Sequence, residues 1–137
     1  MSLFRIFDIA GSGMSAQSLR LNTTASNLSN AQSVSSSVNE TYRARHPIFS
    51  TNFSDILDEH ASVGVKVDGI VESQAPLRKE YEPNHPKADA DGYIYYPNVN
   101  PVEEMANMIS ASRSFQSNVE ILNTSKQMLM RTLSLGE

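Results

Sequence analysis

The chain has 137 residues, 11 of them basic and 15 acidic, for a net charge of −4, and no cysteine. That length suits one domain, or two elements sharing a small core, and the acidic balance argues against a nucleic-acid partner. Without thiols there is no disulfide framework and no thiolate metal centre, and no apolar run reaches the ~18 residues of a membrane span.

Taken in order, the chain opens on Met1–Asp8, whose apolar stretch is broken by Arg5 and Asp8. No convincing cleavage site follows, so export is expected to use a route other than a cleaved secretory signal. Residues 2 to 31 read as a helix. Phe7, Ala10, Met14, Gln17, Leu21, Thr24 and Leu28 alternate at three and four, a heptad-like register, with Phe4, Leu19 and Ala25 broadening the stripe. Its polar face is unusual: only Arg5, Asp8 and Arg20 are charged between Ser2 and Ala31, whereas Ser, Thr, Asn and Gln fill 12 positions. Small neutral polar groups hydrogen-bond across crowded interfaces without the desolvation penalty of an ion. They also give poor intrinsic helicity, so this helix is expected to depend on packing.

From Gln32 to about Ser62 the sequence reads as a linker. Ser33–Ser37 is low in complexity, Arg45–Phe49 is held extended by Pro47, and Phe53–Leu57 fits a short helical turn. Residues 63–97 carry the β signal. Val63, Val65 and Val67 alternate with Gly64 and Lys66, then Asp68-Gly69 marks a turn or bulge before Ile70-Val71. Leu77–Tyr81 and Tyr93–Tyr96 are further strands, separated by the turn-rich Glu82–Pro86 and Asp89–Gly92. Of the 26 charged residues, 16 lie between positions 32 and 101. The solvated part is therefore the middle, and the neutral surface belongs to the ends, which favours assembly.

The longest element runs from Asn100 to Gly136. Asn100 is an N-cap, Pro101 takes the first helical position, Glu103 sits three residues after the cap, and Gly136 is a left-handed C-cap. The intervening run free of Pro and Gly corresponds to roughly 50 Å of helix. One seam is expected along Val102, Met105, Ile109, Ser112, Phe115, Val119, Leu122, Lys126, Leu129 and Leu133. A second line, Ile121, Ser125, Met128, Thr132 and Leu135, lies about 100° around, and a helix apolar on two faces needs more than one neighbour.

Motifs for chemistry are weak. Asp89-Ala90-Asp91-Gly92 has Lys87 and Asn98 where a calcium loop needs acids, so a turn is the better reading and a calcium-dependent module the minor alternative. His46, His60 and His85 lack zinc spacing. Glu103-Glu104 fits helix capping, and Asp58-Glu59 a solvated loop. Gly11-Ser12-Gly13 lies within the first helix and follows no strand, so it is no phosphate loop. No catalytic, cofactor or metal residue is assigned.

The segment Leu21–Ala31 resembles the signature of bacterial flagellar rod and hook proteins, in which an Ala–Asn pair closes the first helix; here Ser26 separates Ala25 from Asn27. Tyr96–Met105, Ala111–Val119, Asn123–Lys126, Pro83–Pro86 and Asp91–Tyr93 are similar to the proximal-rod members of that family, with Lys87 and Ser117 as looser positions. The resemblance implies a mainly α fold with a small β part. Long N- and C-terminal helices (1–31 and 100–137) would pair as a coiled-coil-like hairpin in an inner tube, with a β-rich middle segment (32–99) outside. It implies a subunit exported unfolded through the flagellar type III apparatus and polymerised head-to-tail into the shaft that transmits torque across the periplasm. Its partners would be copies of itself, other rod proteins, and basal-body ring and export-gate components, with no nucleic acid, membrane insertion or cofactor. The subunit interface is then expected to use Phe7, Met14, Leu21, Met105, Ile109, Phe115, Val119, Leu122 and Leu129 for packing. Asn27, Asn30, Asn98 and Asn118 would supply polar bonds. The competing reading from the residues alone is a soluble helical-hairpin adaptor or export chaperone that acts by protein binding.

Overall fold

The computed structural model describes residues 3–51 and 63–134, with backbone only at Leu3 and Phe4. The element order is α1 (Leu3–Asn30), β1 (Arg45–Thr51), β2 (Val65–Glu72), β3 (Arg78–Tyr81), β4 (Tyr93–Tyr96) and α2 (Pro101–Ser134). It is a mainly helical chain with a small antiparallel β part in the middle, as the sequence leads one to expect. The strands form two separate two-stranded sheets, β1–β2 and β3–β4. The expected helical turn at Phe53–Leu57, His60, the second-line residue Leu135 and the Gly136 cap lie outside the described residues.

Both helices start where local chemistry allows. The Asn100 side chain accepts from the Val102 amide at 3.1 Å, satisfying one of the orphan donors of α2. α1 and α2 pack antiparallel: Arg20 Nη2 donates to Asn107 Oδ1 at 2.9 Å, while Gly13, seven residues earlier, lies against Asn118, eleven residues later. A Cβ at Gly13 would stand 2.9 Å from Asn118 Nδ2, so the missing side chain is what admits the close approach there. The β1–β2 ribbon packs on α1 beside α2. Ser12 Oγ accepts from the Val65 amide at 3.1 Å, and Asn27 binds the backbone of Arg45. α1 is thus the element that both α2 and the β1–β2 ribbon pack against.

The seam of α2 is only in part the one the apolar pattern suggests. Glu104, Ala111 and Ser125 are buried, and Asn118 is half-buried; these four recur every seven residues. Met108, Phe115, Leu122 and Leu129, each four further on, are half-buried beside them. Val102, Met105 and Ile109 are exposed, which corrects their assignment to the seam with the first helix, as are Lys126 and Leu133. The physical reason is the partner: α1 is lined with Ala, Gly, Thr and Asn, so small groups on α2 bring the backbones together and its large apolar groups are left outside.

Arg45–Thr51, read as extended linker, is a paired strand. Pro47 stands opposite Ile70 in the register, and a two-stranded ribbon has free edges on which a residue without an N–H is tolerated. Asp68-Gly69 is a bulge, not a hairpin turn: the register shifts between Ile48 and Phe49, which pair with Gly69 and Val67. β2 therefore runs straight through it.

The β3–β4 hairpin is organised by Asp89. Its Oδ1 accepts from the amides of Tyr93 at 2.8 Å and Asp91 at 3.0 Å, and its Oδ2 from the Tyr95 hydroxyl at 3.3 Å. Gly92 follows at φ +81°, with Tyr81 and Pro83 so close that a Cβ would meet them at 2.9 and 3.2 Å. The Tyr93 amide bond, helped by those from Asp91 and Tyr95 and by Lys79, holds the Asp89 carboxyl below the usual carboxylate range. A depressed folded value stabilises the hairpin above the unfolded carboxylate pKa of about 3.9, and that contribution is lost as pH falls through the folded value. The protection factor of the Tyr93 amide is therefore expected to fall on acidification below about pH 4 and to be low already at neutral pH in Asp89→Ala, which removes the acceptor. Unchanged protection in Asp89→Ala would contradict this role.

Candidate subunit interface

The core of the chain is small in both senses. Among the described residues the buried hydrophobic ones are Ala10, Ala16, Ala44, Ile94 and Ala111, and the largest fully buried side chains are Ile94 and Asn27. Thr23, Thr24, Thr41 and Ser125 are buried with them. The accessible surface is 9399 Å² for 15.1 kDa, against about 7,100 Å² for a compact monomer of that mass. Such a chain leaves its large apolar groups to be covered by something else.

Those groups form stripes on α2. Val102, Met105 and Ile109 are 76%, 51% and 56% exposed and share one face near its N-terminus. Ile121 and Met128, 46% and 55% exposed, share another, turned by about 130° from the first at ~100° per residue. The two stripes flank the face given to α1, one on each side. Met130 and Leu133 extend exposed apolar surface to the C-terminal end. Contiguous surface of this kind marks interaction sites. Ile6 on α1 adjoins the second stripe in a shallow hollow with Ser117, Ile121 and Met128.

The outward strip of α1 is different in kind. Asp8, Ser15, Ser18, Asn22, Ala25 and Ser29 are its exposed residues at three–four spacing, and only Asp8 is charged. Residues this small let another helix approach closely, with hydroxyls and amides available for hydrogen bonds.

The residues singled out from the sequence separate into three groups. Met105 and Ile109 are exposed. Phe7, Met14, Leu21, Phe115, Val119, Leu122 and Leu129 are half-buried, partly covered within the subunit. The asparagines are engaged inside the chain. Asn27 Oδ1 accepts from the Tyr42 hydroxyl at 2.8 Å and the Arg45 amide at 2.9 Å, and its Nδ2 donates to the Arg45 carbonyl at 2.8 Å. A carboxamide has the donor and acceptor of a peptide group, so Asn27 pairs with Arg45 as a neighbouring strand would. Asn98 repeats the device: Oδ1 accepts from the Ala44 amide at 2.8 Å, and Nδ2 donates to the carbonyls of Ser73 and Ala75 at 3.2 and 2.9 Å. Asn30 donates to Ser26 O of its own helix, and Asn118 faces Gly13.

Val102, Ile121, Met128 and Glu104 are the additions of the structure to that set. Glu104 could have been found from the seven-residue recurrence of Glu, Ala, Asn and Ser, a pattern that hydrophobic periodicity does not register. His85 and Asp89 serve local structure: His85 Nδ1 accepts from the Lys87 amide at 3.0 Å, and the Asp89 carboxylate is spent on its turn. Among the described residues no cluster of three metal-binding side chains occurs, and no helix is long and apolar enough to cross a membrane.

The sequence is similar to known flagellar proteins. Residues 7–34 match the family model described as flagella basal body rod protein, and residues 90–135 match that described as flagellar basal body rod FlgEFG protein C-terminal. Over the full length of both chains the sequence is 52% identical to the flagellar basal-body rod protein FlgC of Salmonella typhimurium. It is 53% identical to that of Escherichia coli O157:H7 and 48% to that of Yersinia enterocolitica, again over the full length of both chains.

Proposed function

Because the chain belongs to the FlgC family of flagellar basal-body rod proteins, we propose that it builds the rod through the faces of α1 and α2 that its own fold leaves uncovered. It is a structural subunit of the basal-body rod, not an enzyme. On this reading residues 1–31 and 100–137 form the inner tube and residues 32–99 the outer layer. The seven-residue recurrence of Glu104, Ala111, Asn118 and Ser125 supports a coiled-coil-like pairing of the two helices. Met105 and Ile109, with Val102, dock on one neighbour, and Ile121 and Met128 on another. Phe7, Met14, Leu21, Phe115, Val119, Leu122 and Leu129 hold the two helices at the angle that presents these stripes. Asn27 and Asn98 anchor the outer layer to them, while Asn30 and Asn118 stand near the surfaces that neighbours cover.

The observation that carries the reading is the pair of apolar stripes on opposite sides of the α1 contact. Two different faces on one subunit make heterologous contacts, which propagate instead of closing on a dimer. Copies of the chain and other rod proteins are the partners such faces fit, with ring and export-gate components at the ends of the shaft. The subunit reaches that shaft, across the periplasm, through the flagellar type III apparatus and transmits torque there. Deleting the gene in the bacterium that encodes it is expected to give non-swimming cells whose basal bodies lack a completed rod, restored by the intact gene. Complete rods in the deletion strain would contradict the assignment.

A further inference from the structure

The first apolar stripe of α2 carries an oxidisable sulfur at its centre. The chain has six methionines and no cysteine, so thioethers are its only reactive sulfur. Met105, Met128 and Met130 are 51%, 55% and 61% exposed, whereas Met14 and Met108 are half-buried. Exposure puts the first three within reach of a small oxidant. Their surroundings then separate them, because on a helix the residues three and four positions away are a side chain's neighbours. Around Met105 these are Pro101, Val102, Met108 and Ile109, and none of their side chains carries a hydrogen-bond donor. Around Met128 they are Thr124, Ser125, Arg131 and Thr132, and each carries one.

We propose that Met105 is a modification site at which oxidation bars the subunit from the rod: hydrogen peroxide converts its thioether to a sulfoxide, and the modified face no longer docks. The Sδ lone pair attacks one peroxide oxygen and the O–O bond breaks. The leaving hydroxide takes the proton of the transferred oxygen and departs as water, so sulfur loses two electrons and the peroxide gains them. The new S=O group is an acceptor set between Val102 and Ile109. In the free subunit water solvates it. Against an adjoining subunit it is buried with no donor from its own helix, the costly case for a polar group. A sulfoxide at Met128 has Thr124 and Arg131 beside it instead, so the second stripe tolerates the same chemistry. Enzymes that reduce sulfoxide to thioether reverse the block. This inference rests on the rod-subunit reading above and deepens it.

The test treats the purified full chain and growing cells with hydrogen peroxide and maps sulfoxides by peptide mass spectrometry. In the purified chain Met105, Met128 and Met130 are expected to oxidise before Met14 and Met108, with the melting temperature unchanged while only those three are modified. In cells dosed during rod growth, Met105 sulfoxide is expected to be depleted about tenfold in isolated basal bodies relative to the unassembled pool, the effect of one buried acceptor without a donor. Met128 sulfoxide is expected to show a smaller depletion. Peroxide is expected to lower the recovery of the wild-type subunit further than that of Met105→Leu, each strain measured against its own untreated culture. Equal depletion of the two sulfoxides overturns the proposal, as does equal peroxide sensitivity of the two strains. A lowered melting temperature does so too, because the effect would then lie in the fold. If Ile109→Asp is excluded from basal bodies while Met105 sulfoxide enters freely, the modification site falls and the rod interface stands. If Ile109→Asp also enters, the interface itself is wrong.

Discussion

Ile109→Asp is expected to give a folded subunit that does not enter the rod. Ile109 is 56% exposed and lies between Met105 and the half-buried Ser112 on the outward side of α2. In the free chain the new carboxylate sits in water, where a surface substitution changes stability by about 0.5 kcal/mol or less. In the proposed rod interface the same position would be covered. Losing a buried isoleucine costs about 1.5–3 kcal/mol, and burying an unpaired carboxylate costs more. A total above about 3 kcal/mol is a loss of more than a hundredfold in association. Thermal melting of the purified variant, its recovery in basal bodies and the swimming of the strain read the two states separately. Normal swimming would remove this face from the interface.

Asn27→Ala is expected to act on the fold. Asn27 is 1% exposed and satisfies three groups at once: the Arg45 amide, the Arg45 carbonyl and the Tyr42 hydroxyl. Alanine leaves the two Arg45 backbone groups without that partner at the junction of α1 and β1, while the Tyr42 hydroxyl keeps Ser26 Oγ at 3.2 Å. At about 1–3 kcal/mol for each of the two groups left unsatisfied, the loss is roughly 2–6 kcal/mol. That is a large share of a total stability of about 5–15 kcal/mol. Denaturant titration measures it directly, and a loss below about 1 kcal/mol would mean that water replaces the side chain without penalty. The expected phenotype is a detached outer layer and a subunit that reaches the rod in low amount. The contrast with Ile109→Asp separates what holds the subunit together from what joins it to its neighbours.

The helices were legible because their ends carry local chemistry. Asn100-Pro101 fixes the start of α2 through one side-chain bond and one missing donor, both written in adjacent residues. β3 and β4 were legible for the same reason, since Asp89 and Gly92 build the turn between them within a few residues. The partner of β1 was not, because β2 lies beyond an intervening segment and no compact turn sequence announces the pairing. The seam of α2 was misread for a more general reason. Periodicity assigns the greasy side of a helix to the inside of its own chain. Here the inside takes Ala111, Asn118 and Ser125, and the greasy side is turned out. Phe115, Leu122 and Leu129 lie beside the α1 contact as the apolar pattern suggests, whereas Val102, Met105 and Ile109 do not. Asn27 and Asn98 stood out in the sequence, but only coordinates reveal that their amides are directed at Arg45, Ala44, Ser73 and Ala75. The neutral ends and charged middle, by contrast, could be read from composition alone.

An electron-microscopy map of the intact basal body, resolved to side chains, tests the central claim most directly. The account predicts that Val102, Met105 and Ile109 are covered by one adjoining subunit and Ile121 and Met128 by another. Finding both stripes in contact with water, with α2 touching nothing but α1, would contradict it.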